Sequence, residues 1–168
     1  YIAPINLKLI IIMKKVLLIA VFAICGLGTA NAQGFSVGAN IGLPTGTFGS
    51  VTSLSVGADV NYMFSSDSEF SYGVATGYQH FIGKSGFPAP SYAPLAGAAR
   101  YALSDDFSIG IDLGLAFLIS NGTGSGAYYR PMVTYNLSET MKLSASYSGV
   151  SVVGGALSNF GVGVMFDM

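Results

Sequence analysis

The chain has 168 residues, of which 51% are apolar and only 9% are charged. An ordinary soluble domain carries roughly 25% charged residues, so this composition excludes a conventionally hydrated surface. No apolar run reaches the ~18 residues of a membrane-spanning helix, which leaves a closed barrel as the structure able to satisfy every backbone group in lipid.

Residues 1–12 precede a start-like Met13 and are expected to be an upstream extension outside the natural protein. Residues 13–32 read as a signal peptide. Lys14 and Lys15 form a basic start, Val16–Gly28 an apolar stretch, and Ala30-Asn31-Ala32 a small-residue cleavage motif before Gln33. Cys25 is the only cysteine and lies inside that stretch. Ile24 stands where a lipoprotein signal needs a small residue, so lipidation is not expected. Cleavage after Ala32 would leave neither disulfide nor thiol chemistry. Residues 33–168 then carry Lys84, Arg100, Arg130 and Lys142 against eight acids, a net charge of −4. That balance offers no basic patch for nucleic acid.

From residue 34 onward large apolar residues alternate with small or polar ones, the period of a strand between two environments. Eight strands are predicted, near 34–43, 52–64, 70–82, 92–103, 107–119, 127–137, 141–150 and 157–167. Most have the ~9–11 residues a tilted strand needs to cross a bilayer. In the second, Leu54, Val56, Ala58, Val60, Tyr62 and Phe64 share a face. In the fifth, Phe107, Ile109, Ile111, Leu113, Leu115, Phe117 and Ile119 oppose Ser108, Gly110, Asp112 and Gly114. With one parity chosen per strand, no large-residue face carries Asp, Glu, Lys, Arg, Asn or Gln. A lipocalin-like soluble barrel would turn the large residues inward and show water a nearly uncharged Gly/Ala/Ser face. A small barrel has room inside only for modest side chains, so the large face is expected to meet lipid.

Three connections repeat a pattern: NYMFSSDSEF, RYALSDDFSI and TYNLSETMKL. Each runs Tyr, one residue, a large apolar residue, Ser, then acidic or small polar residues. The others (PTGTFGS, GKSGFPAPS, SNGTGSG and SVVGGA) are Gly-rich and mostly longer. Short turns alternating with longer loops are the asymmetry of outer-membrane barrels. On these turns and this architecture, residues 33–168 resemble the small eight-stranded OmpA/OmpX-like outer-membrane barrels. The resemblance implies an all-β, antiparallel, up-and-down transmembrane barrel, monomeric in outer-membrane lipid. It also implies delivery by periplasmic chaperones to the barrel-assembly machinery.

Aromatic residues collect at the predicted strand ends. Tyr62, Tyr72, Tyr101, Phe107, Tyr135 and Phe166 are assigned to a girdle at the short-turn end. Phe48, Phe81, Phe87, Tyr92, Phe117, Tyr128 and Tyr129 are expected at the other interface. Asp59, Arg100, Asp112 and Arg130 fall at similar heights on the small-residue face, with Asn40 and Asn61. Such a layer reads as a selectivity ring or as a neutralised polar plug, and its balanced signs favour the plug. His80 is the lone histidine. Barrels that modify lipid A use a rim histidine with a serine and an acid, but His80-Phe81-Ile82 lacks their serine two residues on. A general base also needs an orienting partner, so catalysis is not expected. Nor is a metal or other cofactor, given no second histidine and no phosphate-loop motif. The expected role is structural or surface-interacting. A narrow solute channel is the alternative, and a lipid-modifying enzyme comes third.

Overall fold

The computed structural model describes residues 34–64, 69–87, 89–120 and 124–168. The expected extension, the signal peptide and Cys25 lie outside them, as do part of the first repeated turn and three residues of SNGTGSG.

Eight antiparallel strands follow one another around a closed barrel. They are β1 (Phe35–Thr45), β2 (Thr52–Phe64), β3 (Phe70–Gly83), β4 (Ser91–Ala102), β5 (Phe107–Ser120), β6 (Ser125–Asn136), β7 (Met141–Val152) and β8 (Gly155–Asp167). Each strand pairs with its sequence neighbours, and β1 closes on β8 from Ser36↔Asp167 to Thr45↔Ser158. Closure leaves no strand edge, which a lipid-embedded sheet requires.

The alternating pattern settles which face is which. On β5, Asp112 is 0% exposed while its neighbour Leu113 is 56% exposed. Ile41, Leu95, Leu115, Phe160 and Val162 join Leu113 on the outside. Together they make an apolar belt far larger than a water-facing surface tolerates. Hydrocarbon is the solvent that suits it.

The repeated short turns owe their shape to their serine. In Leu103–Asp106, the Ser104 hydroxyl accepts the Phe107 amide at 3.1 Å. In Leu137–Thr140, Ser138 accepts the Met141 amide at 3.1 Å in the same way. A hydroxyl that takes the amide three residues on replaces a missing ladder bond and fixes the reversal.

The opposite end is less uniform than expected. Strands β7 and β8 continue through SVVGGA to a two-residue turn, Val153-Gly154, where Gly154 takes a φ of 91°. Gly supplies that left-handed conformation without strain, so this connection is a tight hairpin and not a loop. The connection after β1 folds into a 3-10 turn, Gly46–Phe48.

Candidate functional site

The barrel interior is the candidate site, and its contents change with height. At the short-turn end lies a polar cavity of about 780 Å³. Small side chains leave this room: Ser36, Ser71 and Ser108 line it, with Thr134 and Asn136. Ser108 and Thr134 share a hydrogen bond at 2.5 Å, and Lys142 pairs with Asp167 at 2.5 Å.

Above it the four expected lumen charges meet. Arg130 on β6 lies directly opposite Asp112 on β5, and its Nε donates to Asp112 Oδ2 at 3.0 Å. The same guanidinium reaches across the lumen, Nη1 to Asp59 Oδ1 on β2 at 2.5 Å. Asn40 on β1 donates Nδ2 to the other Asp59 oxygen at 2.8 Å. Arg100 sits diagonal to Asp112, because the β4–β5 register sets Ala98 opposite Asp112 and Arg100 opposite Gly110. Its Nη2 lies 2.7 Å from Asp112 Oδ1, too poorly aligned for a hydrogen bond. Its Nη1 donates instead to the Ala99 carbonyl at 2.9 Å. Gly110 makes this path possible: a Cβ there would fall 2.3 Å from Arg100 Cδ. Gly57 likewise leaves space for Asn40 and Gln79.

The result is one chain of contacts, Arg100–Asp112–Arg130–Asp59–Asn40, running from β4 to β1. Two carboxylates and two guanidiniums balance, which a buried set needs. Asn61 stands apart from it. It faces the lumen nearer the cavity, its Nδ2 is 3.9 Å from Met165 Sδ, and its Oδ1 has no partner.

The loop end of the lumen is filled by large residues, which corrects the expected interfacial ring. Phe81, Tyr92 and Tyr128 point inward and are almost wholly buried with Val150 and Leu157. Ring centroids are 6.0 Å apart for Phe81–Tyr92 and 6.1 Å for Tyr92–Tyr128. Phe48, from the 3-10 turn, packs against this cluster. Of that expected set, Phe117 and Tyr129 lie on the outer wall and Phe87 is exposed in its loop. Tyr129 covers Gly149 on the neighbouring strand. The Tyr92 hydroxyl extends the cluster into a separate polar chain, beginning at Ser148 at 3.3 Å. Ser148 bonds Asn159, whose Nδ2 donates to Ser55 Oγ at 2.9 Å. The space between these layers is about 10 Å³, scarcely enough for one water.

At the other end Tyr62, Tyr72, Tyr101, Phe107, Tyr135 and Phe166 are all on the outer face. Phe107 and Tyr135 are a cross-strand pair with centroids 4.8 Å apart. The Tyr101 hydroxyl donates to Glu69 at 2.8 Å. His80 is on the outer face too, stacked on Tyr78 with centroids 6.4 Å apart. Its cross-strand neighbours are Val56 and Ser91, and the Ser91 hydroxyl is engaged by Ser120 at 2.6 Å. No cluster of metal-ligating side chains forms among the described residues.

Comparison with solved structures speaks to the architecture. A designed transmembrane barrel, TMB2.3, is 16% identical, with 80% of this chain and 94% of that one covered and a TM-score of 0.56. Ail, an outer-membrane protein of Yersinia pestis, is 12% identical over 79% and 98%, with a TM-score of 0.54. The N-terminal barrel domain of OprF from Pseudomonas aeruginosa is 19% identical over 78% and 96%, with a TM-score of 0.50. The fold is that of the small eight-stranded outer-membrane barrels. No family model and no curated protein matches the sequence, so the likeness is one of fold. Within this barrel fold sequence reasoning missed the aromatic cluster. Its signal was the inward parity of Phe81, Tyr92 and Tyr128, which share their strand faces with Gln79, Pro94 and Arg130 two residues away.

Proposed function

We propose that this protein is an integral barrel of the bacterial outer membrane, exported through its signal peptide, with a structural or surface-interaction role and a closed lumen. The carrying observation is the double seal. The Arg100–Asp112–Arg130–Asp59–Asn40 chain crosses the interior. Phe81, Tyr92 and Tyr128 then fill the space toward the loops. Ions meet a layer that is already paired and then an apolar one, so neither storey offers a hydrated path. The outer belt, with the aromatic residues at the short-turn end, fits a surrounding bilayer. Lipid is the partner this surface implies, and a monomer is the state a closed barrel allows. Catalysis gains no support from His80, which faces outward and has no acid among its cross-strand neighbours.

Single-channel recording of the refolded barrel in a planar bilayer tests the reading. The unmodified protein should give no steady conductance. A large, steady conductance would replace the closed lumen with the solute-channel alternative.

A further inference from the structure

The charges outside the ionic layer are unevenly placed. Among the described residues Glu69, Asp105, Asp106, Glu139 and Asp167 all lie at the short-turn end. Lys84 lies at the opposite end, donating to the Ser50 carbonyl at 2.9 Å. Around the 780 Å³ cavity stand Glu69, Asp105 and Asp167, with Lys142 as the cation not already neutralised in the ionic layer. Among the described residues, three carboxylates to one ammonium leave the cavity wall with an excess of two negative charges. Lys142 is committed to Asp167, and Asp105 has no ion pair among the described residues.

Acidic walls alone do not make a site. The second observation is Asn61, which is 2% exposed and lines the same cavity. Its carboxamide oxygen is buried without a hydrogen-bond partner, and an acceptor in that condition needs a donor. Exchanging its oxygen and nitrogen would not cure the deficit, since the nitrogen's one contact is a thioether sulfur at 3.9 Å. The cavity volume falls in the usual range for small-molecule sites.

We propose that this cavity binds a small flexible organic polycation, a chain bearing two or more primary ammonium groups. One ammonium would donate to Asn61 Oδ1 on the inner wall and another would pair with Asp105. Ammonium is all donor, which matches a set of acceptors, and the alkyl spacer lets charges meet groups at different depths. The proposal goes beyond the closed-lumen reading and does not depend on it, because the cavity opens at the end away from the aromatic cluster.

Spermidine titrated into the refolded barrel, followed by calorimetry and by the Asn61 side-chain amide signal in NMR, is the test. Saturable one-to-one binding with a shifted Asn61 signal is expected, with no binding of the neutral comparator 1,4-butanediol. Asp105→Asn and Asn61→Leu should each weaken spermidine by about tenfold, the scale of one lost charge-assisted hydrogen bond. Asp105 is in an exposed turn, so its variant decides the matter if Asn61→Leu fails to fold. Absent saturation, or affinity unchanged in Asp105→Asn, would overturn the proposal. So would magnesium binding equally well, since general attraction to acidic groups would then suffice. A conducting barrel that still bound spermidine would refute the closed lumen and leave this site standing.

Discussion

The two halves of the lumen solve the same problem in opposite ways. Toward the short turns the interior is lined by Ser36, Ser71, Ser108 and Thr134 and remains an open polar cavity. Toward the loops it is filled by Phe81, Tyr92, Tyr128, Val150 and Leu157. The backbone is the same kind of closed sheet throughout, so side-chain volume makes the difference. Between the halves, Arg130 holds both carboxylates of the ionic layer. The lesson is that inward alternation specifies a lumen, while the size of the inward residues decides whether it is a space.

If Arg130 is the joint, its loss should be the most damaging. Arg130→Ala would leave Asp59 and Asp112 facing each other with Arg100 as their remaining cation. The expected loss is about 3–5 kcal/mol, as for breaking a buried ion pair, measured by urea unfolding in lipid vesicles. A loss no greater than that of Arg100→Ala would deny Arg130 its central place.

On the filled side, Phe81→Ala should cost about 3–5 kcal/mol through an unfilled cavity. It should also weaken the outer seal without disturbing Asp112–Arg130. Combining it with Arg130→Ala should produce conductance that neither change gives alone. Two breached layers with no current would show that something else closes the barrel.

The wall can be separated from its contents on a single strand. Leu113→Arg places a charge in hydrocarbon and should cost about 2–4 kcal/mol, whereas Leu113→Ala should cost much less. A lipid-embedded quencher reaching a probe at 112 in preference to one at 113 would invert the faces.

Arg100→Ala should be milder, about 1–3 kcal/mol, because Asp112 keeps its aligned bond from Arg130. Adding Asp112→Ala should deepen the loss, since that change also strips Arg130 of a partner. Recovery in the double variant would mean that Arg100 was the principal partner of Asp112.

The open side should respond least. Thr134→Val removes the hydroxyl shared with Ser108 and should cost only about 0.5–1.5 kcal/mol, with no change in conductance. A larger effect would show that the cavity wall carries more of the stability than its openness suggests.

Much of this barrel was legible in the chain because a strand's period of two is a local property. Leu113 and Asp112 could be assigned to opposite faces without knowing a single neighbour. The strand ends agree with expectation to within two residues, and the serine turns were visible because Ser104 and Ser138 act within their own reversals. Position around the barrel is not local. Sequence placed Asp59, Arg100, Asp112 and Arg130 at one height, but cross-strand register made Arg130 the bridge and left Arg100 on a diagonal. Asn61 shares their face yet joins none of them. Parity also put Phe81, Tyr92 and Tyr128 inside, but their position near strand ends suggested an interface. Closure of β1 on β8 brought β3, β4 and β6 around one axis and made those rings a single cluster. Composition and alternation by themselves determined a lipid-suited barrel. Only the closed tertiary structure decided which charges pair and which half of the lumen is full, because both depend on register and circumference, which no single strand encodes.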